Sequence, residues 1–190
     1  MTSSRLPRLT RDVLDPDQLR VFDAIAGGDR AKDGSFPLTD RDGALVGPFN
    51  ALLFSPNVGD AIQQVGAALR FHCGLEPAVR ELAILVVATH HDSEFERWAH
   101  ESIALRVGLS DEQVAALRAG TRPEFDSDEL TVVYNLCAAT VAGGLVDDLT
   151  YRQASDTLGN EGVVELITVL GYYGLLAQLM NVFEVGLPEL

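Results

Sequence analysis

Cysteine is scarce in this chain: Cys73 and Cys137 are the only two among 190 residues, and they lie far apart. Neither belongs to a CxxC pair or to a cysteine–histidine cluster with the spacing of metal ligands. Disulfide frameworks and structural zinc sites need such clusters, so the sequence predicts neither, and we predict no metal site. The pattern favours two buried, reduced thiols in a cytoplasmic protein.

Basic residues are scarce as well. Lysine and arginine number 14 against 28 aspartates and glutamates, which gives a formal net charge of −14, and Lys32 is the only lysine. The arginines are scattered and form no stripe. Because a polyanion would be repelled by such a chain, we predict no nucleic-acid partner.

Long uninterrupted apolar runs are also missing. The N-terminal stretch MTSSRLPRLTRDVLD has no apolar core, so it does not read as a signal peptide. A membrane-spanning helix needs about 20 apolar residues. The nearest candidate, GVVELITVLGYYGLLAQLMNVFEV, is interrupted by Glu165, Gln178 and Asn181. It is more typical of a buried core or interface helix, and we predict no membrane partner.

Helical periodicity runs through almost the whole sequence. A helix is predicted to open at Asp15, because Pro16 suits the first helical position. Residues 29–47 are polar and rich in glycine, and they indicate a long loop with room for one short strand. We predict a single-domain, all-α chain with a long C-terminal helix, divided into an N-terminal helix and polar loop (1–46) and the main helical domain (47–190).

Two further helix starts carry the same signature. Ser93 is followed three residues later by Glu96, and Ser110 is followed at the same distance by Gln113. Both have the form of a capping box, in which the serine and the third helical residue satisfy each other's backbone N–H groups. The sequence therefore predicts helices from Ser93 and from Ser110.

Polar side chains share one face of the helix that follows Ser93. Offsets of three, four and seven residues return to the same side of a helix at about 100° per residue. The residues at those offsets, with the serine itself, are Ser93, Glu96, Arg97 and His100. If this helix and the preceding one form an antiparallel hairpin, Glu81 lies level with His100. The carboxylate can then hold one imidazole nitrogen while the other faces a pocket.

Two interpretations of this face remain open. Glu96 and His100 are four residues apart and could form an ordinary surface pair, with Ser93 serving only as a cap. On the other hand, Glu81 precedes the run LAILVVA, so its helix is largely buried. An unpaired buried carboxylate is costly, which favours a partner for Glu81.

The stretch RELAILVVATHHDSEFERWAHESIALRVGLSDEQVAAL resembles the carboxymuconolactone decarboxylase family, which includes the AhpD-type alkylhydroperoxidases. The resemblance extends from Gly47 to the C-terminus. The peroxidase branch carries a glutamate, a CxxC pair after eleven residues, and a histidine after three more. Glu81 and His100 stand at the outer positions, whereas Ser93 and Glu96 replace the cysteines. These two residues can neither form a disulfide nor offer a thiolate to a peroxide.

The resemblance implies an AhpD-like helical bundle that assembles as a homotrimer or homohexamer. In the decarboxylase branch a tryptophan precedes the histidine. Here Arg97 stands where it is usual, and Trp98 follows. What carries over is an acid–base site without a cofactor, with Glu81, Glu96 and His100 as its catalytic residues. The implied activity is decarboxylation, isomerisation or hydrolysis of a small cyclic carboxylate or lactone, as met in aromatic catabolism.

Several further residues are candidates for binding the substrate. Arg80 or Arg97 would attract a substrate carboxylate, although a surface ion pair explains Arg80 equally well. The other candidates for lining the pocket are Ser93, Phe49, Asn50, Tyr172 and Tyr173, and core packing is the commoner use of such aromatic residues.

Two other functions stay open. A peroxide-linked oxidoreductase would have to use Cys73 or Cys137 in place of the missing pair. A non-catalytic small-molecule-binding protein would keep only the fold.

Overall fold

The structure is a computed structural model that describes residues 4–188. Over that range the chain forms nine α-helices and a 3-10 helix at Arg11–Val13. The α-helices are α1 (Pro16–Ala26), α2 (Asp29–Asp33), α3 (Pro48–Leu52), α4 (Pro56–Phe71), α5 (Pro77–His90), α6 (Glu94–Arg106), α7 (Asp111–Arg118), α8 (Asp128–Val141) and α9 (Asp148–Phe183). The predicted all-α class and the long C-terminal helix are confirmed.

The segment predicted as a long loop contains more structure than expected. Residues 29–33 form α2, which ends at Gly34 in the left-handed region at φ 63°. In place of a strand there is one isolated antiparallel bridge between Thr39 and Leu45. The side chain of Asp40 closes this turn by accepting the backbone N–H of Ala44 at 3.1 Å. A polar, glycine-rich composition conceals such short elements because local side-chain hydrogen bonds, not apolar periodicity, hold them.

The chain groups into two compact units. Among the described residues, the first unit comprises 4–72 and 176–188, and the second comprises 73–175. The predicted ranges 1–46 and 47–190 include residues 1–3 and 189–190, which lie outside the described residues. The boundary at residue 46 stays a prediction.

The first unit has its own apolar core. Asp15 and Gln18 form a complete capping box at the start of α1, as expected for a helix that opens there. The face that α1 buries includes Phe22, which joins a cluster with residues of α3 and the preceding loop. The buried members of that cluster are Val21, Phe22, Ile25, Leu45, Phe49, Leu52 and Leu53. Apolar burial of this kind is the main force that holds the unit together.

A close approach of α3 and α4 depends on Gly59. A Cβ atom on Gly59 would lie 2.2 Å from the carbonyl oxygen of Leu52. We therefore expect Gly59→Ala to lower the free energy of unfolding by about 1–3 kcal/mol, since backbone would have to move. Gly171→Ala on α9 is the matched control, because nothing lies within 4 Å of its Cβ position. It should stabilise the protein by about 0.5–1 kcal/mol. Urea unfolding of both variants tests this, and equal effects would contradict it.

The second unit is built around α5. Residues on every side of this helix are buried, including Val79 and the unbroken stretch 81–88. A helix that is apolar all round occupies the centre of a domain. It contacts α6, α7 and α8. This position explains why a carboxylate on α5, at Glu81, is fully removed from water.

The C-terminal helix is interrupted at Gly159, which has φ 68° and joins two helical segments. By length and composition α9 could span a membrane, since one window has a mean hydropathy of 1.6. Half of that window is buried within the protein, a feature that core helices share. The absence of a membrane partner and the cytoplasmic location stay predictions.

Candidate active site

A tight turn brings α6 back beside α5. Asp92 adopts a left-handed conformation at φ 49°, which aspartate tolerates better than most residues. The backbone N–H of Ser93 then donates to the carbonyl oxygen of Ala88 at 2.8 Å. Ser93 caps α6 by accepting the N–H of Glu96 at 3.5 Å. This geometry allows residues that are far from the turn on both helices to meet.

Glu81 and His100 meet across this hairpin. Oε2 of Glu81 lies 2.7 Å from Nδ1 of His100, and the two residues are 0% and 3% exposed. An ionised carboxylate can only accept a hydrogen bond, so Nδ1 carries the hydrogen in that state. The second ring nitrogen, Nε2, is then left for other chemistry. The level placement predicted from the sequence is confirmed.

Glu96 provides the second carboxylate, and here one prediction is wrong. The N–H of Ser93 is taken by Ala88, so the Glu96 side chain does not close a capping box. Instead Oε2 of Glu96 lies 3.4 Å from Nε2 of His100. The second signature does close, since Ser110 and Gln113 satisfy each other at the start of α7. Both serines therefore cap their helices, but only Gln113 completes the capping box, whereas the Glu96 side chain lies beside His100.

The pKa of the Glu96 carboxyl lies near neutral pH. The pKa of Glu96 is raised from 4.5 to about 7, chiefly because burial disfavours the charged form; the charge of His100 lowers the pKa and the charge of Glu81 raises it. Its Oε1 atom is buried and has no hydrogen-bond partner among residues 4–188. A carboxyl with a pKa near the working pH can both take and give a proton, which suits general acid–base catalysis.

The two candidate arginines lie in different surroundings. Nε of Arg80 is 3.7 Å from Oε1 of Glu81, and the Arg80 side chain is only 14% exposed. Arg97 instead pairs with Asp92 at 2.9 Å, and Asp92 is almost fully exposed. Arg80 is thus adjacent to the buried cluster through Glu81, whereas Arg97 takes part in a surface ion pair. Their binding roles stay predictions.

The remaining predicted lining residues have structural partners. Asn50 accepts the backbone N–H of Leu9 and donates to the carbonyl oxygen of Pro7, both within the first unit. Phe49 belongs to the core cluster of that unit, with the Arg30 guanidinium over its ring. Ser93 is buried and acts as the cap of α6. Binding by these residues stays a prediction.

Two tyrosines of α9 complete the surroundings of the cluster. The ring of Tyr173 lies against the imidazole of His100, with centroids 5.1 Å apart and planes at 89°. Tyr172 packs on Tyr173 in a similar edge-on arrangement at 5.3 Å. Sequence reasoning favoured core packing for both. No spacing rule relates residues 73 positions apart, so only the tertiary structure identifies this contact.

The thiols differ in exposure. Cys137 is fully buried on α8, and burial raises the pKa of its thiol to about 12. Cys73 is partly exposed, and neither cysteine forms a disulfide within residues 4–188. A thiol with so high a pKa is protonated at neutral pH and is a poor nucleophile.

A groove of about 400 Å³ opens on another side of α6, towards α7. None of the predicted site residues lines it. Its lining residues are Trp98, Glu101, Ser102, Leu105, Asp111, Val114, Ala115 and Arg118. The groove is therefore separate from the Glu81–His100–Glu96 cluster.

Comparison with known structures supports the fold over its whole length. A peroxidase-related protein from Ralstonia eutropha JMP134, described as an alkylhydroperoxidase AhpD core, is 15% identical with a TM-score of 0.73. The match covers 100% of this chain and 94% of the Ralstonia protein. A peroxidase-related protein from Silicibacter sp. TM1040 is 12% identical with a TM-score of 0.73, and the coverage is 100% and 93%. A variant of the debrominase Bmp8 bound to 2,3,4-tribromopyrrole is 12% identical with a TM-score of 0.72, covering 97% and 93%.

The sequence match covers a smaller part of the chain than the structural matches do. No curated protein matches the chain. Residues 56–136 match the model of the carboxymuconolactone decarboxylase family, a range that includes α5, α6 and the whole Glu81–His100–Glu96 cluster. The resemblance predicted from the motif is thereby confirmed: over residues 56–136 this chain carries the carboxymuconolactone decarboxylase pattern, on an all-α, AhpD-like fold.

Proposed function

We propose that Glu81, His100 and Glu96 form a cofactor-free acid–base site that transfers a proton at carbon in a small cyclic carboxylate or lactone. Decarboxylation is the leading reaction. The observation that carries this proposal is the Glu96 carboxyl, which is buried beside Nε2 of His100. A glutamate that only capped a helix would lie at the surface and keep an ordinary pKa.

The proposed chemistry needs a held carboxylate, a stabilised enolate and one delivered proton. Loss of CO₂ breaks the bond between the ring carbon and the carboxylate, and the electron pair passes into the conjugated lactone carbonyl. His100 then protonates the carbon from Nε2, and Glu96 restores the proton to Nε2. Glu81 stabilises the charged imidazole from Nδ1, at 2.7 Å. The net reaction consumes one proton and releases one CO₂.

Arg80 is the candidate for holding the substrate carboxylate. Its side chain is mostly buried, and its Nε lies within ion-pair distance of Glu81. A positive charge here offsets the two carboxylates, which would otherwise repel an anionic substrate. Arginine also suits the planar, two-oxygen geometry of a carboxylate.

A thiol peroxidase reaction is the weaker alternative. Ser93 and Glu96 occupy the two positions at which the peroxidase pattern has cysteines. The raised pKa of Cys137 leaves very little thiolate at neutral pH. The debrominase complex holds a small cyclic molecule, 2,3,4-tribromopyrrole, on a similar fold. That complex is consistent with a ring-sized substrate here, whatever the reaction.

The first test is release of CO₂ from 4-carboxymuconolactone, generated in situ, without added cofactor. We expect turnover by the purified protein and loss of at least about 100-fold in His100→Ala, since proton delivery would be gone. His90→Ala is the matched control, because His90 is exposed at the end of α5, and it should keep full activity. The decarboxylase proposal would be contradicted by equal turnover in wild type and His100→Ala, or by none in either.

The pH profile gives an independent check of the direction of proton transfer. A site that delivers a proton is active while Glu96 and His100 still hold one. With the Glu96 pKa at about 7, kcat/KM should fall roughly tenfold per pH unit above that value. Steady-state rates from pH 5 to pH 9 measure this. Activity that rises through pH 7 would show that the cluster acts as a base, and the decarboxylation step would be wrong as written.

Assembly into a homotrimer or homohexamer, implied by the family resemblance, is proposed as well. Apolar side chains stay exposed along α9, including Val164 at 66% and Leu175 at 40%. Exposed apolar helix faces are typical of surfaces that contact another chain.

A further inference from the structure

The His100 ring has a carboxylate neighbour at each of its two nitrogens and an aromatic ring packed against it. Glu81 lies 2.7 Å from Nδ1, and Glu96 lies 3.4 Å from Nε2. The Tyr173 ring stands at 89° to the imidazole with the centroids 5.1 Å apart. All four residues are in the second unit, and Tyr173 is 9% exposed. Edge-on contacts between aromatic rings are attractive and depend on orientation.

The two carboxylates alone do not define the ring orientation. The contact to Glu81 is short and directional, whereas the contact to Glu96 is longer than a strong charged hydrogen bond. A ring held firmly at one nitrogen can still rock and carry the other nitrogen away from its partner. Proton exchange between Nε2 and Glu96 therefore needs a third contact that limits this motion.

We propose that Tyr173 is a positioning residue that orients the His100 imidazole, so that Nε2 faces Glu96 while Nδ1 stays on Glu81. This rests on the proposed function of the cluster. Tyr173 acts through its ring, because the observed contact joins the two rings. Tyr172 packs edge-on against the Tyr173 ring, with the centroids 5.3 Å apart, and restricts the movement of that ring.

Nitrogen NMR of histidine-labelled protein tests this without any substrate. The chain has four histidines, so the His100 signals are identified by their loss in His100→Gln. Wild type and Tyr173→Phe should show the same single dominant tautomer of His100. In Tyr173→Leu we expect mixed tautomers, because the orientation of the ring is no longer restricted.

Kinetics on the same variants separate positioning from packing. Tyr173→Leu should lower kcat about three- to tenfold with little change in KM, and Tyr173→Phe should restore the wild-type rate. Tyr134→Leu is the control, since it removes an aromatic contact with Phe125 in the same unit. It should lower stability and leave the His100 signals unchanged. If Tyr173→Leu does not fold, Tyr173→Met replaces it.

Two results would overturn the proposal. One is an unchanged His100 tautomer in Tyr173→Leu. The other is an equal change in Tyr173→Phe, which would assign the effect to the hydroxyl. The expected NMR changes without any CO₂ release would support the positioning role and contradict only the decarboxylase function.

Discussion

Glu96→Gln is expected to lower kcat by about 100- to 10,000-fold, the range typical of losing a general acid or base. Glutamine keeps the shape and volume of glutamate but cannot exchange a proton with Nε2 of His100, which lies 3.4 Å from the Glu96 carboxylate. KM should change little, because the lost interaction concerns the transferred proton and not the bound substrate. Steady-state CO₂ release at pH 7 measures the effect.

The matched control for this variant is Glu94→Gln. Glu94 lies on the same helix two residues earlier, but it is exposed. The same chemical change there should leave kcat within twofold of wild type. If Glu96→Gln keeps more than about a tenth of the activity, Glu96 is not the proton donor to His100 and the proposed relay is wrong.

The same variant should be more stable than wild type at high pH. The pKa of Glu96 is about 7 in the folded protein and ordinary, near 4.5, in the unfolded chain. The folded state therefore binds more protons between these values, and the wild-type free energy of unfolding falls as the pH rises from 4.5 to 7. At about 1.4 kcal/mol for each pKa unit, the loss is about 3 kcal/mol. Because glutamine does not titrate, the Glu96→Gln variant does not lose this stability as the pH rises.

Urea unfolding at pH 5 and pH 8 measures this linkage as a difference between two proteins. Comparing Glu96→Gln with wild type cancels the other titrating groups, which are the same in both. The variant should gain about 2–3 kcal/mol relative to wild type between the two pH values. Glu94→Gln, at an exposed position, should show no such gain. An equal pH dependence in all three proteins would mean that Glu96 titrates normally.

Loss of activity together with a gain in stability in one variant would be the signature of a functional site. A buried carboxyl without full hydrogen bonding destabilises the folded state, and it persists where its reactivity is needed. A structural role for Glu96 predicts the opposite sign for stability, because removing a useful interaction would weaken the protein. The two measurements together therefore separate the interpretations left open by the sequence.

Much of the secondary structure follows from local sequence. The Asp15 and Ser110 caps, the proline at the start of α4, and the apolar character of α5 all act within one or two helical turns. Because these signals do not depend on residues distant in sequence, they correctly predict the helices of the folded chain. The loop at residues 29–47 was harder to predict, because α2 and the Thr39–Leu45 bridge are too short to carry a periodic pattern.

The sequence by itself determined the all-α class, and it placed Glu81 level with His100 on the condition that α5 and α6 form an antiparallel hairpin, because helical spacing sets these positions. Only the tertiary structure decided what Glu96 does. Ser93 gives its N–H to Ala88, so Glu96 turns to His100 instead of closing a cap. It also decided that Tyr173 of α9 reaches the imidazole. The spacing of four residues between Glu96 and His100 is local, but the turn that gives the Ser93 N–H to Ala88 decides which role Glu96 takes. No local pattern relates Tyr173 to His100, and this contact depends on three-dimensional packing.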